Sequence, residues 1–322
     1  MTKPFSVVFP GQGSQSVGML DAWNGHPQVQ RTLEEASDAL GQDIGQLIRE
    51  GPKEDLALTT NTQPVMLVAG VAAWRVWEAE TGLIPSAMAG HSLGEYSALV
   101  ASGVLTLSQA APLVRYRAQA MQDAVPVGEG AMAAILGMEA HKVVEGCAEA
   151  VRSFGVNTAE VVEAVNFNDP AQTVIAGSKA AVDKACELLK AQGAKRALLL
   201  AVSAPFHSSL MKPAAEALKE KLESVTLAPP RIPVINNIEV AVESDPQRIR
   251  AALYQQAFGP VRWVECVQAM KQKGIATVLE CGPGKVLAGL TRRIDAGMTG
   301  LAVFDPAGLA EARSLLESET TT

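Results

Sequence analysis

The chain has 322 residues, 48% of them hydrophobic and 19% charged, and carries a formal net charge of −7. This suits a globular protein with a large buried core, and the negative balance lacks the basic excess that a phosphate backbone requires, so nucleic acid is not an expected partner. Residues 64–74 and 197–206, the best apolar runs, fall short of the roughly 18 residues that cross a bilayer, and residues 1–9 lack the features of a secretory signal, so a cytoplasmic protein without membrane contact is expected.

Aliphatic runs at 5–9, 86–89, 198–202, 232–235, 277–279 and 301–304 lack polar alternation, as strands covered on both faces do. Helix-length segments with apolar residues three and four apart separate most of them, among them 62–79, 107–124 and 209–225. This alternation predicts a mostly parallel sheet whose site lies at the carboxyl ends of its strands. The middle of the chain differs: strand 131–136, helix 140–154, strands 161–166 and 172–176, helix 179–192, then a final strand. That βαββαβ order is the ferredoxin-like pattern. The final strand has two candidate homes, because residues 195–202 are long enough to leave the small unit and re-enter the large sheet. The expected fold is α/β, with an α/β-hydrolase-like large domain formed by 1–127 and 199–322 and a ferredoxin-like domain inserted at 128–198. A polar tail, 317–322, is expected to be disordered.

Cys147, Cys186, Cys266 and Cys281 are far apart and read as buried free thiols. The four histidines form no metal-ligand spacing, so no metal is expected.

The segment Gly90-His91-Ser92-Leu93-Gly94 joins the strand 86–89 to a helical stretch, 95–102. A strand that turns abruptly into a helix needs glycines where its backbones crowd, and it lifts the serine to the top of the sheet. Ser92 is therefore a candidate nucleophile, the alternative being a glycine-bracketed turn. Its base would be a histidine. His91 adjoins Ser92 and diverges from it at a sharp turn, His26 sits in a polar segment, and His141 lies on a helix beside Lys142. His207, just past a strand and before a helix, is chosen by position and elimination, against the alternative of a histidine that caps a strand end. No carboxylate, Asp169 included, has an equally telling context, so none is assigned. A backbone carbonyl or an amide side chain could orient His207 instead.

The oxyanion would be held by the Leu93 N–H and by a second donor from the glycine-bearing loop Phe9-Pro10-Gly11-Gln12-Gly13-Ser14-Gln15. Gln12 is the candidate, against a simple tight turn. Residue 16 is serine, so the loop fails the dinucleotide pattern G-x-G-x-x-G, and Gly282-Pro283-Gly284-Lys285 lacks the earlier glycine of a phosphate loop. On the helix 107–124 the stripe Leu113, Val114, Met121 turns Arg117 inward and Arg115 outward. A buried arginine meets either a protein carboxylate or a substrate's, and the pattern alone slightly favours the protein's.

Taken together, the Phe9–Gln15 loop, Gly90-His91-Ser92-Leu93-Gly94-Glu95, Arg117 with Met121-Gln122, Asn166-x-Asn168-x-Pro170-x-Gln172, Phe206-His207-Ser208 and Glu280-x-Gly282-Pro283-Gly284-Lys285 stand in a telling order. The chain closely resembles the malonyl-CoA:acyl-carrier-protein transacylases of bacterial type II fatty-acid synthesis, from Phe5 to about Phe304. The resemblance implies that Ser92 is acylated by malonyl-CoA, that His207 is the base, and that Gln12 and Leu93 are the oxyanion donors. It implies that Gln256 orients the histidine through its backbone carbonyl, which would explain the missing acid. It also reverses the preference on Arg117, which would hold the malonyl carboxylate, while Phe206 would crowd a 2-methyl branch.

The implied reaction is a ping-pong transfer to the phosphopantetheine thiol of acyl carrier protein, with no bound cofactor. A monomer is expected. Carrier protein looks acidic across this family, which makes Lys190, Lys195, Arg196, Lys285, Arg292 and Arg293 candidates for its docking. The rival functions are a serine hydrolase such as a thioesterase, a trans-acting polyketide acyltransferase, and an inactive scaffold that only docks carrier protein.

Overall fold

A computed structural model describes residues 3–23 and 25–318. Among them nine strands form two sheets: β1 (Phe5–Phe9), β2 (Ala87–Gly90), β3 (Gly130–Leu136), β4 (Val162–Asp169), β5 (Gln172–Ser178), β6 (Arg196–Leu199), β7 (Val234–Ile235), β8 (Thr277–Cys281) and β9 (Thr299–Val303). One sheet has the order β7-β2-β1-β8-β9, with every pairing parallel. β1, β2 and β8 are buried along their whole lengths, which is why they read as runs without polar alternation. Because the strands run in one direction, their carboxyl ends share an edge. There β1 leads into residues 10–15, β2 into 91–94, β7 into 236–237 and β8 into 282–285.

The helix Thr59–Thr81 is buried along most of its length and lies close to the parallel sheet. Gly70 permits the approach, since a Cβ there would stand 3.3 Å from Phe9 Cδ1 and 3.4 Å from Ser97 Oγ. Trp77 meets Phe5 edge-on at 5.9 Å between centroids.

The second sheet has the order β4-β5-β3-β6 and is antiparallel throughout. The helices Ala140–Ser153 and Lys179–Ala191 supply Val143, Cys147, Val182 and Leu189 to a core with Ile135, Val162 and Ile175. The final strand of this segment has one home: β6 pairs with β3, Arg196 opposite Leu136 and Leu199 opposite Ala133, and does not re-enter the parallel sheet. Its residues are mostly exposed, the reverse of a strand covered by helices on both faces.

The chain divides into two compact units. The first holds the parallel sheet and comprises residues up to Ala118, Val225–Ile249 and those from Cys266 onward; the second holds the antiparallel sheet and comprises Gln119–Ser224 and Arg250–Glu265. The second therefore extends beyond the insertion expected at 128–198. β4 is an edge strand, and its outer edge recruits another segment: Phe167 N–H donates to Val261 O (3.0 Å), and Val261 N–H donates to Val165 O (2.8 Å). Arg250 Nε donates to Leu222 O at 3.0 Å and Tyr254 Oη to Glu216 at 2.6 Å, which ties the same segment to the helix Lys212–Glu223.

The four cysteines are buried and form no disulfide. Among the described residues no helix is long and apolar enough to cross a membrane, and no group of three or more His, Cys, Asp or Glu side chains is placed to hold a metal ion. The helix Pro306–Ser318 includes the start of the polar tail, whose remainder lies outside the described residues.

Candidate active site

β2 ends at Gly90 and the helix Gly94–Ala101 follows almost at once. Ser92, between them, has φ 54°, a left-handed conformation that non-glycine residues adopt mainly at constrained sites. The crowding explains the two glycines. A Cβ on Gly90 would stand 1.9 Å from the Gly94 carbonyl, and one on Gly94 would stand 2.1 Å from Phe9 O.

The amides of this turn are almost all used. His91 N–H donates to Phe9 O (3.0 Å), Gly94 N–H to His91 O (2.9 Å) and Glu95 N–H to Ser92 O (3.1 Å). Ser92 N–H donates to Asn237 Oδ1 at 2.8 Å. Leu93 is buried, and its N–H has no acceptor among the described residues. An unused donor beside the candidate nucleophile is what a developing oxyanion would require. His91 serves the turn's backbone.

The loop after β1 packs on this turn, since a Cβ on Gly11 would meet His91 O at 2.8 Å. Gly13, with φ 120°, donates its N–H to Gln15 Oε1 at 2.7 Å, and the N–H of half-buried Gln12 has no acceptor among the described residues. Behind the loop stands the turn after β8, where a Cβ on Gly282 would lie 3.1 Å from the Pro10 ring and one on Gly284 would lie 2.8 Å from Ser14 Oγ. Glu280, fully buried on β8, shapes that turn by accepting the Ala288 N–H at 2.9 Å at the start of the helix Val286–Ile294. Burial pushes the Glu280 carboxyl up to about 7, against the opposing pull of the Ala288, Leu287 and Val286 N–H groups.

The helix Leu107–Asp123 carries Arg117, which is only 2% exposed. Its Nη1 donates to Gln63 Oε1 at 2.7 Å and its Nη2 to Ser92 Oγ at 3.3 Å, while the guanidinium carbon stands 5.5 Å from the Tyr96 ring centroid. Burial lowers the Arg117 pKa, and Tyr96 and Glu95 oppose it; burial pushes the Tyr96 hydroxyl up to about 12. A guanidinium stays charged even so. The cation therefore touches the candidate nucleophile. Arg115, expected to point outward, is half-buried and donates to Gln42 Oε1 at 2.7 Å, because the segment bearing Gln42 covers that side of the helix.

In the second unit His207 also has a left-handed backbone, with φ 67°, and is 4% exposed. Its Nδ1 lies 2.9 Å from the backbone oxygen of Gln256, which can only accept, so the Nδ1 proton points there and Nε2 is left as the basic nitrogen. Asp169 has another task, accepting the Ala171 N–H at 2.9 Å in the β4–β5 turn. The histidine's segment is fixed by Ser208, whose Oγ donates to Pro205 O at 2.7 Å, and by the close seating of the Pro205 ring on Gly130, where a Cβ would stand 2.4 Å away. Phe206 beside it is buried. His207 lines a cavity of about 380 Å³ together with Cys147, Val162, Val165, Phe258 and Pro260.

The glycine-flanked turn thus holds Ser92 with a buried cation at its hydroxyl. Residues 6–297 match the family described as the acyl transferase domain. The chain belongs to that family. It is 50% identical to the malonyl CoA-acyl carrier protein transacylase of Haemophilus influenzae over 98% of this chain and 99% of the relative, and 48% identical to that of Escherichia coli over 97% and 99%. Among solved structures, the acyl-carrier-protein S-malonyltransferase of Burkholderia pseudomallei is 61% identical, with a TM-score of 0.93 and coverage of 97% of this chain and 99% of that one. A malonyl-transacylase solved in complex with a type II PKS acyl-carrier protein is 48% identical, with a TM-score of 0.93 and coverage of 98% and 99%.

The expected residues of this acyl transferase family member thus fall in two sets. Ser92, Leu93, Gln12 and Arg117 gather at the carboxyl edge of the parallel sheet, and Phe206, His207 and Gln256 belong to the second unit. Sequence reasoning missed Asn237, Gln63, Glu95 and Tyr96. Asn237 had a usable signal, since it lies two residues past the end of β7, where a parallel sheet presents its functional groups. Gln63 had none, because it is one polar residue among the buried apolar ones of its helix.

Proposed function

We propose that this protein transfers the malonyl group of malonyl-CoA to the phosphopantetheine thiol of an acyl carrier protein, through a malonyl ester on Ser92. The observation that carries this is the 3.3 Å contact between Arg117 Nη2 and Ser92 Oγ: a buried cation at the nucleophile favours an acyl chain that ends in a carboxylate. The names of its relatives, at 48 to 50% identity over nearly the whole chain, support the same activity.

His207 Nε2 takes the proton of Ser92 Oγ as that oxygen attacks the thioester carbonyl. The Leu93 and Gln12 N–H groups hold the oxyanion, and the thiolate of coenzyme A leaves with the proton returned from His207. The carrier thiol then gives its proton to His207 and attacks the Ser92 ester; as the bond from the acyl carbon to Ser92 Oγ breaks, His207 returns that proton to Ser92 Oγ and the serine is restored. Arg117 makes charge-assisted hydrogen bonds to the malonyl carboxylate in both steps, and Phe206 narrows the space at C2.

The finer architecture belongs to the same proposal. We read the first unit as α/β-hydrolase-like, supported by the strand–serine–helix turn, and the second as ferredoxin-like, supported by its βαββαβ order and antiparallel sheet. The enzyme acts as a cytoplasmic monomer without a bound cofactor, and sedimentation tests the monomer. Exposed Lys190, Lys195, Arg196, Lys285, Arg292 and Arg293 are the candidates to meet an acidic carrier.

The deciding experiment is intact-mass measurement after mixing with malonyl-CoA. A persistent malonyl adduct that Ser92→Ala lacks, discharged by added holo carrier protein, supports transfer. Rapid release of malonate without a carrier indicates a hydrolase, and carrier binding with no adduct indicates a scaffold. The relative that serves a type II PKS carrier makes a polyketide carrier a second acceptor to test beside the fatty-acid one.

A further inference from the structure

Asn237 is completely buried and uses its backbone N–H and both side-chain ends on the turn that carries Ser92. Its Oδ1 accepts the Ser92 N–H at 2.8 Å, its Nδ2 donates to Gly90 O at 2.8 Å, and its own N–H donates to Glu95 Oε2 at 2.9 Å. The two side-chain bonds grip the chain on either side of His91, and Glu95, on the helix that follows the turn, holds the residue that grips it. The arrangement clamps a residue whose φ of 54° would otherwise relax, because a free serine gains energy by leaving that region.

We propose that Asn237, fixed by Glu95, is a positioning residue for the acylation of Ser92. This rests on the function proposed above. By occupying the Ser92 N–H, Asn237 leaves Leu93 as the turn's unused amide, so the oxyanion has one donor direction at this turn rather than two competing ones. By holding Gly90 O as well, it sets where the Ser92 Cα–Cβ bond points. Misplacing a nucleophile by about 1 Å can cost on the order of 10²-fold in rate. Substrate affinity, set elsewhere, is left in place.

The test uses Asn237→Ala and Asn237→Asp beside the wild-type enzyme. Asn237→Asp keeps an acceptor for the Ser92 N–H and loses the donor to Gly90 O. Two rates are read in protein shown by circular dichroism to be folded: formation of the malonyl–Ser92 adduct from malonyl-CoA, and modification of Ser92 by a small fluorophosphonate that needs no substrate binding. Asn237→Ala should slow both by about 10²-fold with KM changed less than about threefold, and Asn237→Asp should fall between it and the wild type. Adduct formation by Asn237→Ala at the wild-type rate overturns the assignment, as does a loss that tracks only the unfolded fraction or appears only in KM. Wild-type enzyme that forms no Ser92 adduct overturns instead the function on which the assignment rests.

Discussion

Arg117 Nη2 donates to Ser92 Oγ across 3.3 Å, so a buried cation and the candidate nucleophile are in direct contact. Gln63 Oε1, at 2.7 Å from Nη1, keeps the guanidinium plane from turning away. Gln63, Arg117 and Ser92 therefore share one hydrogen-bond network.

Arg117→Ala leaves a malonyl carboxylate without its partner in a buried site, which typically costs about 2 to 5 kcal/mol. Malonyl transfer should fall by at least about 30-fold in kcat/KM, while acetyl transfer, which offers no carboxylate, is unchanged or faster. Parallel assays with malonyl-CoA and acetyl-CoA decide it. Equal losses for both substrates, together with a lowered melting temperature, would make Arg117 a structural residue.

Phe206 is buried beside His207, and on the proposed function its ring narrows the room for a branch at C2. Phe206→Ala should raise methylmalonyl relative to malonyl transfer by about 10-fold or more, the scale on which one methyl group is discriminated in a tight pocket. Competition between the two thioesters for adduct formation, read by mass, measures the ratio directly. An unchanged ratio removes Phe206 from specificity.

Glu280 gives a pH dependence with a definite sign. Its carboxyl titrates at about 7 in the folded chain against an ordinary 4.5, so the folded state holds the extra proton across that interval and loses stability as pH rises through it. The difference is on the order of 3 kcal/mol when fully expressed. Glu280→Gln cannot ionise. The wild type should therefore lose melting temperature relative to this variant from about pH 5 to about pH 7, and the two should run parallel above. A gap that does not vary with pH contradicts the assignment.

Two glycines should respond in opposite directions to the same substitution. A Cβ on Gly94 meets Phe9 O at 2.1 Å, so Gly94→Ala should destabilise by about 3 kcal/mol or more and abolish the adduct. Gly289, inside the helix Val286–Ile294, has only Arg293 Nη1 at 3.9 Å, and Gly289→Ala should stabilise by up to about 1 kcal/mol. Thermal denaturation of the two variants reads both.

Residue type and spacing alone carried the α/β class with its mostly parallel sheet and pointed to Ser92 as the candidate nucleophile. Strands buried on both faces must be apolar throughout, and a strand that turns into a helix within four residues must place glycines where its backbones collide, so Gly90, Ser92 and Gly94 were legible without coordinates. The inward turn of Arg117 followed from helical periodicity alone. What met these residues did not, because partners distant in the chain are chosen by packing. Gln63 reaches Arg117 from another helix, Asn237 reaches Ser92 from another strand end, and the Gln256 carbonyl that orients His207 is a backbone atom carried by any residue type. The reach of the second unit was hidden for the same reason: Val261 joins the edge of β4 through main-chain hydrogen bonds, which leave no mark in side-chain identity. Local sterics and periodicity are written residue by residue, whereas hydrogen bonds between distant segments exist only once the chain has closed on itself.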